Sequence, residues 1–317
     1  MVDAVTATGL TKRFGGVHAA NGITLSVPQG ARFGLIGPNG AGKTTFIKML
    51  LGITRHDEGT VSVLGGDPED PAIRRQIGYL PERLTIPPSL SALSFLDSVA
   101  RYKGVPAARR RAECRDLLAT VGLEESAWER KTGGYSKGMR QRTGLAAAMV
   151  GQPRLLVLDE PTDGIDPVGR KQIRDVILNA ASGGATLFLN SHLLAETERV
   201  CDHVAVLFQG KVRVSGPLSI LQRKDSFCVV FVDSEGAADK AKARGFTKDV
   251  DNSTPERLVT RFAGTDASAL SSALRDALSD GLVVIELAPE LVELETLLEQ
   301  SMTTTPDASA SSAARAA

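Results

Sequence analysis

The chain has 317 residues, more than one hydrophobic core usually organises, and so calls for about two domains. Its 37 Lys and Arg balance 37 Asp and Glu, and aromatic residues make up 4% of it, a combination that argues against nucleic acid as the main partner. Cys114, Cys201 and Cys228 are odd in number and far apart, so they read as buried or incidental thiols and not as a disulfide framework or zinc site.

The start, Met1-Val2-Asp3-Ala4, has neither the basic residues nor the apolar block of a signal peptide, and no run of about 18 apolar residues occurs anywhere. If the chain acts at a membrane, a partner is expected to supply the spanning helices. Apolar and polar residues alternate around 5–7 and 23–27, with turn signals at Gly15-Gly16, Asn21-Gly22 and Pro28-Gln29-Gly30, which predicts antiparallel strands. Phe14 falls in the first turn region, where a ring also serves as small-core filler.

An apolar run at 33–36 then leads into Gly37-Pro38-Asn39-Gly40-Ala41-Gly42-Lys43-Thr44-Thr45, followed by the helical pattern of 46–51. Three glycines in six residues let successive N–H groups curl inward around an anion, and the helix adds its positive end. Lys43 is placed to reach β- and γ-phosphates, and the Thr44 hydroxyl can ligate the Mg²⁺ that bridges them. The pattern predicts a nucleoside triphosphate site.

Further on, 61–64 and 77–80 read as short strands, the second ending at Pro81-Glu82. Leu90, Leu93, Leu96 and Val99 recur every three residues, and 107–120 has few strand formers, so two helices are expected here. Arg109-Arg110-Arg111 reads as a solvated helix face. Lys131-Thr132-Gly133-Gly134-Tyr135-Ser136-Lys137-Gly138-Met139 is a second glycine-rich stretch before a helix, which suits an anion cradle or an ordinary helix cap.

Residues 155–158 form a buried-type strand ending in Asp159-Glu160, at the strand end where α/β sheets hold ligands. There Asp159 can hold Mg²⁺ through water, and Glu160 can polarise an attacking water. A polar turn with Asp163 and Asp166 follows, then a helix to Asn179 and a buried strand at 185–190 ending at Ser191-His192. His192 stands where it can meet a γ-phosphate, whereas His18, His56 and His203 have no chemical company.

From about Leu218 the rhythm changes. Strands are expected at 227–232, 257–262 and 282–287, helices at 237–244 and 267–278, and a last amphipathic helix at 290–302. The end, 303–317, is mostly Ala, Ser and Thr and is expected to be disordered.

In this order, the elements from Val5 to about Gly216 resemble the ATP-binding subunit of an ABC transporter. The resemblance implies an α/β P-loop NTPase core with an N-terminal antiparallel β subdomain and a helical subdomain at about 83–150, within an ATPase domain of residues 1–217. A small α/β appendix would occupy 218–302. It makes 37–45 the phosphate loop, Phe14 the aromatic that stacks on adenine, and Glu82 the counterpart of the family's usual Q-loop glutamine at the metal. It makes Ser136 and Gly138 the γ-phosphate groups of the signature, Asp159 the magnesium residue, Glu160 the catalytic base, Asp166 the D-loop aspartate and His192 the switch histidine.

Lys137 and Met139 depart from the usual Leu-Ser-Gly-Gly-Gln signature, and with Leu-Pro-Glu at Glu82 they are similar to the type-2 exporter branch. The implied partners are a membrane-spanning permease and a second ATPase subunit around two Mg–ATP, at the cytoplasmic face of the membrane. A soluble ABC-type ATPase acting as a regulatory or remodelling switch is the competing reading.

Overall fold

The computed structural model describes residues 3–264 and 266–303. Strands β1 (Asp3–Phe14) and β2 (Val17–Pro28) form the expected N-terminal hairpin, turning at Gly15-Gly16. Asn21-Gly22, expected as a turn, lies inside β2 as a bulge: Leu10 pairs with Ile23 and Lys12 with Ala20, and Gly22 absorbs the extra residue at φ +70°. β3 (Arg32–Ile36) then runs into the glycine-rich loop and α1 (Lys43–Leu50). β4 (Glu58–Val63) pairs antiparallel with β1, completing a three-stranded sheet.

After the short α2 (Pro71–Arg74) and β5 (Ile77–Leu80) come the two expected helices, α3 (Ala92–Tyr102) and α4 (Ala107–Thr120). The four-residue α5 (Glu125–Trp128) is too short to leave a periodic signal, and is anchored by the Trp128 indole donating to the Leu123 carbonyl at 2.8 Å. α6 (Lys137–Met149) starts at Ser136, whose hydroxyl caps it by accepting from the Met139 N–H at 3.2 Å. β6 (Leu155–Asp159), α7 (Pro167–Ser182), β7 (Thr186–Asn190), α8 (Leu194–Val200), β8 (His203–Phe208) and β9 (Lys211–Pro217) follow, with α7 running three residues past the expected Asn179.

The main sheet has the order β5-β6-β7-β3-β8-β9 and is parallel except for the β8–β9 pair. Every residue of β6 and β7 is buried, as strands covered on both faces require. Because β6, β7 and β3 are neighbours, the segments leaving their carboxyl ends lie side by side, where such sheets bind ligands. Phe33 of β3 stacks on Phe188 of β7 at 5.6 Å, and Phe46 of α1 packs against Phe188 at 6.2 Å. These rings, each at most 1% exposed, fix α1 and hence the loop before it to the sheet.

A second unit comprises Ser219–Leu297. The chain enters it through α9 (Leu218–Leu221) and forms β10 (Arg223–Val232), α10 (Ala237–Ala243), β11 (Phe246–Lys248), β12 (Arg257–Ala263), α11 (Ala267–Ser279) and β13 (Val284–Leu291). The sheet order is β11-β12-β10-β13, all antiparallel. Its core places Val229, Phe231, Phe246 and Leu258 against Ala237, Ala241, Leu270 and Ala277 of the helices.

The last helix, α12 (Leu294–Thr303), begins four residues later than the expected 290. Glu290 and Leu291 instead extend β13, where the Glu290 carboxylate pairs with Arg261 at 2.7 Å and accepts from Ser226. Thr303, expected to open the disordered tail, closes this helix, and 304–317 lie outside the described residues. No helix among the described residues is long and apolar enough to cross a membrane.

Candidate active site

The loop between β3 and α1 depends on backbone that only glycine supplies. Gly42 has φ +103°, and a Cβ there would stand 2.1 Å from the Ala19 carbonyl oxygen. The loop therefore packs directly on β2. Lys43 is 9% exposed and its Nζ donates to the carbonyls of Gly37 at 2.6 Å and Pro38 at 3.0 Å. Burial lowers its pKa, while Glu160, Asp159 and Glu82 oppose the shift. The ammonium is thus kept inside the loop's own curl, held by two of its three N–H donors, which leaves the third for a phosphate.

Around this loop is an open cavity of about 550 Å³, lined by 39–45, Val17, His18, Ala19, Glu82, Glu160, Asp163, Asn190 and His192. A larger concavity of about 690 Å³, lined partly by His56, Asp67 and Glu69, lies beyond the end of α1 and includes neither the 39–45 loop with Lys43 nor Glu160 and His192. Chemistry, not size, marks the site.

Glu160 sits at φ +54°, a region that costs a non-glycine residue about 1–3 kcal/mol. Its N–H donates to the Asn190 carbonyl at 2.8 Å, and its own carbonyl accepts from Gln141 Nε2 at 3.1 Å. The carboxylate is held by His192 twice: Oε1 accepts the His192 N–H at 2.9 Å, and Oε2 lies 2.8 Å from Nδ1. Burial raises the Glu160 pKa, with the His192 contacts opposing it. The carboxylate held in this way lines the cavity.

Asp159 is buried beneath, 1% exposed, and accepts from Asn190 Nδ2 at 2.5 Å. That bond leaves the buried Asn190 Oδ1 with no partner. Thr44, Asp159 and Glu82 together offer the hard oxygens that Mg²⁺ takes when it arrives with phosphates. The orphaned Oδ1 and the glycine-built curl are both features a metal–nucleotide would complete, so these residues fit the group.

Burial pushes the Asp159 pKa up, ahead of the Asn190 bond that lowers it. Between the ordinary carboxylate range and that raised value the folded chain holds a proton the unfolded chain has lost, so stability falls as pH rises through this window. Asp159→Asn should therefore raise the nucleotide-free Tm at neutral pH, by about 2–4 °C per kcal/mol of cost removed, with the gain vanishing at acid pH. The same variant should lose the Mg²⁺-dependent part of stabilisation by ATP. Thermal scans across pH, with and without Mg–ATP, check both.

The remaining expected site residues lie elsewhere. Ser136 and Gly138 are at the start of α6 and Asp166 caps α7 by accepting from the Gly169 N–H at 2.9 Å; none of the three lines this cavity. Phe14 is 54% exposed at the end of β1, with Lys12 Nζ 5.5 Å above its ring; it pairs with Val17, which does line the cavity. His18 also lines it and His203 Nδ1 lies 2.8 Å from Asp202, so these two have the company the sequence did not suggest. Asn190 and Gln141 were missed. The signal for Asn190 is one amide directly after the apolar run Leu187-Phe188-Leu189.

Residues 20–163 match the ABC transporter family model. The daunorubicin/doxorubicin resistance ATP-binding protein DrrA of Streptomyces peucetius is 33% identical over 293 residues, covering 92% of this chain and 87% of that one. The chain belongs to the ABC transporter ATP-binding proteins. A Nod factor export ATP-binding protein I of Burkholderia lata is 37% identical over 231 residues, 72% of this chain and 76% of the relative.

An uncharacterized ABC transporter ATP-binding protein of Nostoc sp. is 43% identical over 206 residues, 65% of this chain; the match spans 62% of the Nostoc protein and, in a second relative from Synechocystis, 63%. Among solved structures, an ATP binding subunit of an ABC transporter superposes with TM-score 0.65 at 29% identity, covering 69% of this chain and 91% of that one. The ABC-type cassette fold thus carries the loop, the acid pair and His192 in one site.

Proposed function

We propose that this chain is the ATP-hydrolysing subunit of an ABC transporter, an exporter, which dimerises around two Mg–ATP and drives a separate membrane permease. The observation that carries the reading is the convergence of Lys43, Thr44, Glu82, Glu160 and His192 on one cavity at the ends of β3, β5, β6 and β7. The loop N–H groups and Lys43 bind and neutralise the phosphates, with Phe14 at the adenine. Thr44, Asp159 and Glu82 hold the magnesium, which when bound neutralises charge on the transferring phosphoryl group. Glu160 orients water and takes its proton, while His192 leaves the Glu160 carboxylate to hold the γ-phosphate end.

Ser136 and Gly138, absent from their own chain's cavity, face the nucleotide of a second subunit, and Asp166 lies along that contact. ATP then acts as a tether between subunits, and its hydrolysis shifts the population toward the open pair. Export is favoured by the relatives named for drug resistance and Nod factor export. The permease would hold the chain at the cytoplasmic face of the membrane.

Tagged chain recovered from detergent-solubilised membranes of its own source should bring down a roughly stoichiometric multi-spanning protein. Recovery of soluble partners alone, with ATPase activity intact, would contradict the transporter reading and favour the regulatory one.

A further inference from the structure

The 161–166 segment, which leads from Glu160 to the cap of α7, is gripped by one face of α6. Lys137 and Gln141 stand four residues apart and so share that face. Gln141, 5% exposed, donates to the Glu160 carbonyl at 3.1 Å, and Lys137 Nζ donates to Asp163 Oδ2 at 2.6 Å. The Lys137 stem lies across Gly164, where a Cβ would come within 2.3 Å of Cδ and 2.6 Å of Cε; Gly164 is also at φ +69°. The position before Ile165 is thus kept bare for the lysine. Asp163, at the end of this grip, lines the same cavity as Glu160 and His192.

The pair itself is too exposed to add much stability, with side chains 57% and 42% accessible. Its consequence lies in what it orients. Glu160 is held away from ordinary backbone geometry, and the segment after it has two restraints from α6, one on each side of Pro161-Thr162. We propose that Lys137 is a positioning residue for hydrolysis, acting through Asp163 to fix the turn that sets Glu160; this rests on the reading of Glu160 as base. Lys137 stands where the usual signature has glycine, so the departure gains a task inside its own chain. Since Ser136 caps the same helix, the tie also joins the surface offered to a second nucleotide with the base serving the first.

The test compares wild type, Lys137→Ala, Lys137→Arg, Asp163→Asn and the Lys137→Ala/Asp163→Asn double variant by kcat, KM for ATP, nucleotide affinity and Tm. Lys137→Ala should lower kcat about tenfold while KM and nucleotide affinity stay within about twofold and Tm is unchanged. The double variant should be no slower than Asp163→Asn alone, because the two residues act as a unit. Lys137→Arg, which keeps a cation within reach of Asp163, should regain most of the rate.

A kcat for Lys137→Ala within about twofold of wild type would overturn the proposal, as would losses that multiply in the double variant or that come with matching losses of affinity and Tm. Glu160→Gln hydrolysing at full rate would instead overturn the assignment of the base, and this proposal with it.

Discussion

Glu160→Gln is expected to slow ATP hydrolysis by at least about a hundredfold, the low end for losing a general base, while ATP binding is retained. The side chain keeps its shape, and its amide oxygen can still accept the His192 N–H that Oε1 accepts at 2.9 Å. What the amide lacks is the basicity to take a proton from water. The raised Glu160 pKa has the same origin as its competence: burial disfavours the charged form, so the carboxylate gains by accepting a proton. Phosphate release under saturating ATP measures the rate, and titration with a fluorescent nucleotide measures the affinity. Hydrolysis within tenfold of wild type would move the role of base to another group.

Gly42→Ala is expected to abolish nucleotide binding outright. Its Cβ would meet the Ala19 carbonyl oxygen at 2.1 Å, against backbone that belongs to a paired strand and cannot swing aside as a side-chain tip can. The φ of +103° adds strain that no L side chain accepts readily. Together these should cost on the order of 3 kcal/mol and shift the loop, so that its N–H groups no longer converge. Nucleotide titration and a thermal melt read the two effects, and normal affinity in a stable protein would mean the curl is not what holds phosphate.

The site was legible where its chemistry is written in consecutive residues. Gly37 to Thr45, Asp159-Glu160 and Ser191-His192 each follow an apolar run, and the parallel order β6-β7-β3 sets those three strand ends side by side. What escaped is chemistry written across distance. Asn190 reaches Asp159 over 31 positions, Lys137 reaches Asp163 over 26 and Gln141 reaches Glu160 over 19, and no local pattern announces such pairs. Lys137 showed as a departure from a motif, but its partner did not.

The fold behaved alike. α3 is legible from its apolar spacing and α4 from its lack of strand formers, whereas α5 with four residues and β11 with three are below the length at which periodicity speaks. Asn21-Gly22 carries a turn's composition, yet the pairing of β1 with β2 on both sides of it makes it a bulge. Glu290 has helix-forming neighbours, but its bonds to Arg261 and Ser226 keep it in β13.

The measurement that bears most directly on the account is sedimentation velocity of Glu160→Gln, with and without Mg–ATP, beside the same protein carrying Ser136→Arg. Two copies closing on two uncleaved nucleotides predict a monomer without ATP and a dimer with it. The added arginine should keep the protein monomeric while leaving nucleotide binding largely intact. A Glu160→Gln protein that stays monomeric at saturating Mg–ATP, or dimerises equally without nucleotide, would contradict the account.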